Sequence, residues 1–251
     1  MVRTVRATRY VTPLREGGSL PAIVEADDEG LYVLKFRGAG QGPLALAAEW
    51  IAGEIGRALG LNVPEIVLVD VDAVLGRNEP DEEIRDLLKA SVGLNLALDY
   101  LPGATMFDRA AGDRPDAETA STAVVFDAFV TNVDRTIRNP NLLMWHKKLF
   151  FIDHGAALYF HHGWKDTPSL ALSPFAPIRH HLLLPWAAQI PSAAQAMKKK
   201  LNQDILSEIL REVPESWLAR PASDYLDYFV QRLSAMDNFV QEAIRVRADL
   251  V

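Results

Sequence analysis

The chain has 251 residues, of which 49% are hydrophobic and 24% are charged, as in an ordinary globular protein that can bury a substantial core. Its net charge of −7 argues against broad binding to nucleic acid or to an anionic membrane, and the lack of cysteine excludes disulfides and thiolate metal sites. No apolar run approaches the roughly 18 residues of a membrane span, and no secretory signal is recognisable, so a cytoplasmic protein is expected.

The first predicted element is a pair of strands, over residues 8–13 and 20–26, with a glycine-containing stretch between them. That stretch is typical either of a hairpin turn or of a loop over nucleotide phosphates, which backbone N–H groups can approach where no Cβ intervenes. The candidate phosphate-binding residues in it are Gly17, Gly18 and Ser19.

A lysine then interrupts an apolar strand predicted over residues 31–36, and a helix follows over residues 44–59, opened by Pro43. Lys35 is either a solvent-facing strand residue or a phosphate-binding lysine, and its place inside the apolar run favours the second. Glu49 on the helix is the candidate ion-pair partner that would hold Lys35 on the phosphates.

A further strand is predicted at residues 66–71 and a short charged helix at 81–89, and residues 92–99 form an apolar stretch. A helix at about 117–131 then leads into the stretch Asn132–Gly155, which carries the strongest signal in the sequence.

Three polar residues in this stretch have the spacing of a phosphoryl-transfer site. Asn139 follows Asp134 by five residues, and Asp153 follows after a predicted hairpin whose turn is at His146 and Lys147. One carboxylate, Asp134, would orient the attacking hydroxyl, while an amide oxygen and the second carboxylate would hold Mg²⁺. Asx residues and glycine are also common in turns, but the complete ordered set favours the functional interpretation.

The motif Asn-x-Asp-Arg-x-x-x-Asn, together with Lys35 and Phe36, the helix around Glu49 and the stretch 98–103, resembles HipA-type kinases. It is also similar to type II phosphatidylinositol 4-kinases, and the resemblance covers most of residues 10–160. It implies an α+β, bilobal protein-kinase-like fold, with a β-rich N-lobe over residues 1–98 and a mainly helical C-lobe over 99–251.

The resemblance also implies ATP and Mg²⁺ as cofactors and Ser/Thr protein phosphorylation as the activity. A hinge between the lobes would bind the adenine edge through its backbone, at Leu98, Asp99, Tyr100 and Leu101. HipA toxins carry an additional N-terminal region that contacts a DNA-binding antitoxin, and this chain is expected to lack that partner because it is short.

Three alternatives remain open at this point. The acceptor hydroxyl could belong to a small molecule or a lipid, the chain could be a nucleotide-binding pseudokinase, or it could be a structural α+β domain. The remaining elements are predicted as a short strand at 156–160 and helices from about residue 180, the last of them long and capped by Ser223.

Overall fold

The computed structural model describes residues 2–14, 20–40, 42–77, 79–164 and 167–250. The predicted phosphate loop at Gly17, Gly18 and Ser19 therefore lies outside the described residues. The predicted α+β class is confirmed, with strands concentrated in the N-terminal part and helices in the C-terminal part. No helix in the described ranges is long and apolar enough to cross a membrane.

The N-terminal strands close into a five-stranded barrel in the order β1-β2-β3-β5-β4, with β1 and β4 parallel. Successive side chains of β3 point alternately into and out of the barrel. Tyr32 and Leu34 are buried in the barrel core, so the side chain of Lys35 lies on the outer face of the strand. The strands are β1 Thr4–Pro13, β2 Ala22–Ala26, β3 Leu31–Lys35, β4 Ile66–Val71 and β5 Gly93–Asp99.

Helix α1, Pro43–Leu59, connects the barrel with the rest of the molecule. Pro43 occupies its first turn, where no N–H is needed, and Gly60 ends it at a φ of 92°, a left-handed conformation that favours glycine. Its apolar residues belong to the same hydrophobic core as the C-terminal helices. Because α1 is buried on several sides, the positions of its polar residues are closely determined.

Helix α2, Glu82–Ala90, is short and charged, as predicted. Asp81 caps it by accepting hydrogen bonds from the backbone N–H groups of Glu83 and Ile84. Ile84 and Leu88 pack onto the barrel core.

The C-terminal part combines a small sheet, in the order β6-β7-β8, with a group of helices. The predicted hairpin is confirmed: His146 and Lys147 have φ values of 48° and 62°, which suits a two-residue turn between twisted strands. The remaining elements are β6 Thr105–Met106, β7 Leu142–Trp145, β8 Lys148–Phe151, α3 Ala117–Phe129, α4 Thr167–Ala171, α5 Ile190–Lys200, α6 Gln203–Arg211, α7 Ala222–Ser234 and α8 Met236–Ala248.

Two predictions about this part are wrong. Residues 156–160 form no strand, because the N–H groups of Ala157 and Leu158 are used in a turn to His154 O and in a bond to Val130 O, and a 3₁₀ helix follows at Tyr159–His162. The long final helix is two helices, α7 and α8, which meet at Ala235. Ser223 lies inside α7, and its hydroxyl bonds Asp224 instead of capping a backbone N–H.

The predicted lobe boundary between residues 98 and 99 stays a prediction. This boundary lies just before the last residue of β5. Helix α1 precedes the boundary in sequence, but it packs in the same hydrophobic core as the helices that follow the boundary.

Acidification should destabilise the fold through His161, which is 1% exposed in an aromatic cluster with Tyr225. Burial, with a smaller contribution from the charge of His162, lowers the pKa of His161 to about 3. Since an unfolded histidine has a pKa of about 6.5, the unfolded state binds more protons below that value. Stability should therefore fall as pH drops from 6.5 toward 3, by up to about 1.4 kcal/mol per pH unit.

Urea unfolding of the wild type and of His161→Leu at several pH values measures this contribution. The slope between pH 6.5 and 4.5 should be shallower in the variant. Equal slopes would show that His161 does not couple protonation to folding.

Candidate active site

Lys35 lies between two carboxylates from distant parts of the chain. Its Nζ is 2.7 Å from Asp153 Oδ1 and 3.7 Å from Glu49 Oε2. Burial works to lower the pKa of Lys35, but the charges of Glu49 and Asp153 outweigh it and raise that pKa. The ammonium is therefore retained at neutral pH, in a position where α1, β3 and the loop after β8 meet.

Glu49 is 2% exposed and its two carboxylate oxygens have different partners. Oε2 faces the Lys35 ammonium, and Oε1 is 3.3 Å from Nδ1 of His154. Burial works to raise the pKa of Glu49, but Lys35 and His154 together lower it to about 2. Glu49 is thus a buried carboxylate with both oxygens engaged.

Asp134 presents a half-buried carboxylate held by two amides. Its Oδ2 accepts hydrogen bonds from Asn139 Nδ2 at 2.6 Å and from Asn141 Nδ2 at 3.2 Å. Its backbone N–H donates to Asn132 Oδ1 at 3.1 Å. These bonds fix the orientation of the carboxylate in the cleft.

A buried ion pair supports the loop that carries Asp134. Arg135 Nε donates to Asp127 Oδ2 at 2.6 Å, and neither side chain is accessible to solvent. The same oxygen lies 2.8 Å from His181 Nε2, and Asn132 Nδ2 donates to the other oxygen at 2.8 Å. Burial works to raise the pKa of Asp127, but Arg135 and His181 hold it well below its ordinary value.

Asn141 and Asp153 both adopt left-handed backbone conformations, with φ values of 50° and 56°. The Asn141 amide reaches Asp153 O at 3.5 Å as well as Asp134, and Arg135 Nη1 donates to Asn141 O at 2.5 Å. Strained non-glycine residues of this kind persist where the surroundings determine them strongly, and they cluster at functional sites.

A cleft of about 340 Å³ brings several of the predicted residues together. Lys35, Glu49, Asp134 and Asp153 line it, along with Gly155 and the segment between β3 and α1. Asn139 is exposed and contacts Asp134 but is not part of the lining. Within the described ranges, no cluster of three or more acidic or histidine side chains could hold a metal ion.

The predicted hinge residues, Leu98 to Leu101, lie at the end of β5 and outside the lining of this cleft. The N–H groups of Asp99 and Tyr100 already donate to Glu65 O and Leu31 O. Leu101 O accepts from Ala104, while no hydrogen bond from the Leu101 N–H reaches a described residue. The adenine-binding role of these residues stays a prediction.

Sequence reasoning missed Asn141, His154 and His181. Asn141 had a usable signal, because it directly precedes the apolar strand β7 and follows Asn139 by only two residues. His154 and His181 had none, since their partners Glu49 and Asp127 are 105 and 54 residues away.

Solved kinase structures share this fold. The crystal structure of CtkA, a Helicobacter pylori proinflammatory kinase, superposes with a TM-score of 0.59 at 13% identity, covering 100% of this chain and 99% of that one. The crystal structure of the Golgi casein kinase with Mn and ADP bound gives 0.54 at 12% identity, covering 96% of this chain and 73% of that one. The molecule therefore has a kinase-like fold, as predicted.

The family can be stated more closely. The chain belongs to the HipA-like kinase family, whose model matches residues 8–243. The resemblance seen in the catalytic motif is thus confirmed over nearly the whole chain, and the protein is a kinase. No curated protein matches the chain.

Proposed function

We propose that this kinase transfers the γ-phosphoryl group of ATP, with Mg²⁺, to a serine or threonine hydroxyl of a protein. One observation carries the proposal: Lys35, Glu49, Asp134 and Asp153 line the same cleft although they come from four separate segments. Phosphoryl transfer relies on positioning and on charge stabilisation, which a fixed ammonium and fixed carboxylates supply.

Asp134 is the group that would act on the acceptor. Its Oδ2 is held by Asn139 and Asn141, which leaves Oδ1 without a hydrogen bond from any described residue. An acceptor hydroxyl donating to this oxygen would have its proton directed away from the incoming phosphorus.

Lys35 would bind the α- and β-phosphates, as the pairing with Glu49 supports. The glutamate is buried and does not titrate near neutral pH, since its pKa is lowered to about 2. It keeps the lysine charged and prevents it from turning away. Gly17, Gly18 and Ser19 would cover the phosphates, and Leu98, Asp99, Tyr100 and Leu101 would meet the adenine.

The donor atoms present fit Mg²⁺. Asp153 offers a carboxylate that is 42% exposed, and the neighbouring asparagines offer amide oxygens, which are the hard ligands that Mg²⁺ prefers beside phosphates and water. Bound there, the cation would neutralise phosphate charge. Asp153 is one proposed ligand, and Asn139 is the candidate for the other that the sequence spacing predicts.

Asn141 is a competing candidate for the amide ligand. It is 4% exposed, its Nδ2 contacts both Asp134 and Asp153, and its Oδ1 accepts no hydrogen bond from a described residue. We expect Asn141→Ala to weaken Mg²⁺-dependent nucleotide binding at least tenfold, and Asn139→Ala to weaken it by less. Titrations of nucleotide at several Mg²⁺ concentrations measure this. The reverse ranking would assign the ligand to Asn139.

ATP binding and transfer test the proposed function directly. ATP with Mg²⁺ at one hundred times its Kd should stabilise the fold by about 2.7 kcal/mol, and EDTA should remove most of the effect. With γ-labelled ATP, label should appear on the protein itself or on a serine- or threonine-containing protein. No stabilisation at millimolar ATP contradicts the proposal.

The acceptor class is decided in the same assay. Label on a small hydroxyl compound or a lipid, but on no protein, would replace the Ser/Thr assignment. Binding of ATP without transfer to any acceptor would instead make the chain a pseudokinase.

A further inference from the structure

His154 is a buried residue of the site to which the proposed transfer, as described so far, assigns no role. It stands between Asp153 and Gly155, and its ring is fully buried with an edge contact to Phe126 at a centroid distance of 5.7 Å. Its Nδ1 lies 3.3 Å from Glu49 Oε1. It therefore joins the loop that carries Asp153 to helix α1.

The surroundings of the His154 ring indicate which of its two nitrogens carries the hydrogen. Nε2 is buried and has no hydrogen-bond partner among the described residues, whereas Nδ1 faces a carboxylate. A neutral imidazole has one N–H, and the arrangement is satisfied when Nδ1 carries it. Nδ1–H then donates to Glu49 Oε1.

Glu49 in turn connects three segments through one carboxylate. Oε1 accepts from His154, Oε2 faces Lys35, and Lys35 contacts Asp153. The loop lies beside α1 at Gly155, where an added Cβ would be in ordinary van der Waals contact, 3.6 Å from Ala45 O and 3.8 Å from Glu49 Oε2. The four polar side chains form a closed chain of contacts between α1, β3 and the loop.

We infer that His154 is a positioning residue, which holds Glu49 and the Asp153 loop in register so that Lys35 and Asp153 face the same nucleotide. The inference rests on the proposed phosphoryl transfer. Without the Nδ1–H donor, Glu49 Oε1 loses its side-chain partner in a buried site, and the carboxylate gains by turning toward Lys35 or toward water. Either movement displaces Lys35 relative to Asp153.

The consequence should be large for transfer and small for the fold. A displacement of about 1 Å in a positioning group can cost about 100-fold in rate. His154→Leu removes the donor and keeps an apolar side chain against Phe126. His154→Asn keeps an N–H donor near the place of Nδ1, so it should transfer phosphate at least ten times faster than His154→Leu.

A double-mutant cycle with Glu49→Met separates this role from general packing. We expect His154→Leu to lower kcat about 100-fold in the wild-type background but less than about threefold when Glu49 is already methionine. His161→Leu is the matched control, because His161 is also buried with an unpartnered Nε2 but has no contact with the cleft. It should keep the wild-type kcat.

All variants are compared below their melting temperatures, with circular dichroism to confirm folding. The inference is overturned if the effects of His154→Leu and Glu49→Met multiply, if His154→Asn is no better than His154→Leu, or if His154→Leu has wild-type kcat. A wild-type protein that transfers no phosphate would overturn the proposed function itself, and the inference with it. The two failures are thus distinguished by the wild-type activity.

Discussion

Asp134→Ala should remain folded and bind ATP with Mg²⁺ at nearly the wild-type affinity, while phosphoryl transfer falls by about 10²- to 10⁴-fold. The carboxylate is half-buried and its partners are the amides of Asn139 and Asn141, so its loss leaves no buried charge unpaired. In the proposed mechanism Asp134 would act on the acceptor hydroxyl and would not hold the nucleotide. Labelled-phosphate transfer and nucleotide titration measure the two effects separately.

Asp153→Ala is the matched comparison, since it also removes one carboxylate from the same cleft. It should weaken Mg²⁺-dependent nucleotide binding as well as transfer, because Asp153 is the proposed metal ligand. General destabilisation cannot produce opposite binding outcomes in two folded variants. If both variants bind and transfer like the wild type, the assignment of the cleft as the active site is wrong.

Local periodicity explains why much of this site was predictable. Lys35 interrupts an apolar strand, and a period of two places it opposite Leu34, which is inside the barrel. Glu49 interrupts the apolar pattern of a helix bounded by Pro43 and Gly60, so its place on α1 followed from the sequence. The hairpin after the Asp134 loop was likewise predictable from its turn and its two apolar strands.

The contacts that organise the site were not predictable in the same way. His154 reaches Glu49 across 105 residues, and Asp127 reaches His181 across 54, so no local pattern contains both partners. The wrong strand at 156–160 has a related cause: Leu158 N–H bonds Val130 O, a contact that removes the backbone donor from any ladder. Tertiary context decided these positions.

Breaking the buried ion pair between Asp127 and Arg135 should have the largest effect on stability. We expect Asp127→Ala to destabilise the fold by about 3–5 kcal/mol, because it leaves the fully buried guanidinium of Arg135 without its carboxylate. His181 and Asn132 lose a partner at the same time. Urea unfolding at neutral pH measures the change. A loss below about 1 kcal/mol would show that water or another group replaces the carboxylate.

The double variant Asp127→Leu, Arg135→Met is the control for charge, since it replaces the pair with apolar side chains. It should be less destabilised than the sum of the two single replacements, because neither charge is left alone. The pH dependence of stability should also differ between the wild type and the double variant. The pKa of Asp127 in the folded protein lies below its ordinary value. Asp127 therefore contributes to wild-type stability above an unfolded pKa of about 3.9, and this contribution is lost as pH falls toward the folded pKa.

Replacing the Asp127–Arg135 pair should also lower kcat. Asn132, which bonds Asp127, and Arg135, which is bound to it, flank Asp134 on both sides, so the loop loses its orientation when the pair is removed. Under conditions where the double variant is folded, ATP binding through Lys35 and Asp153 should persist while kcat falls at least tenfold. A double variant with wild-type kcat would restrict the pair to a role in folding, and the orientation of Asp134 would then rest on the amides of Asn139 and Asn141 alone.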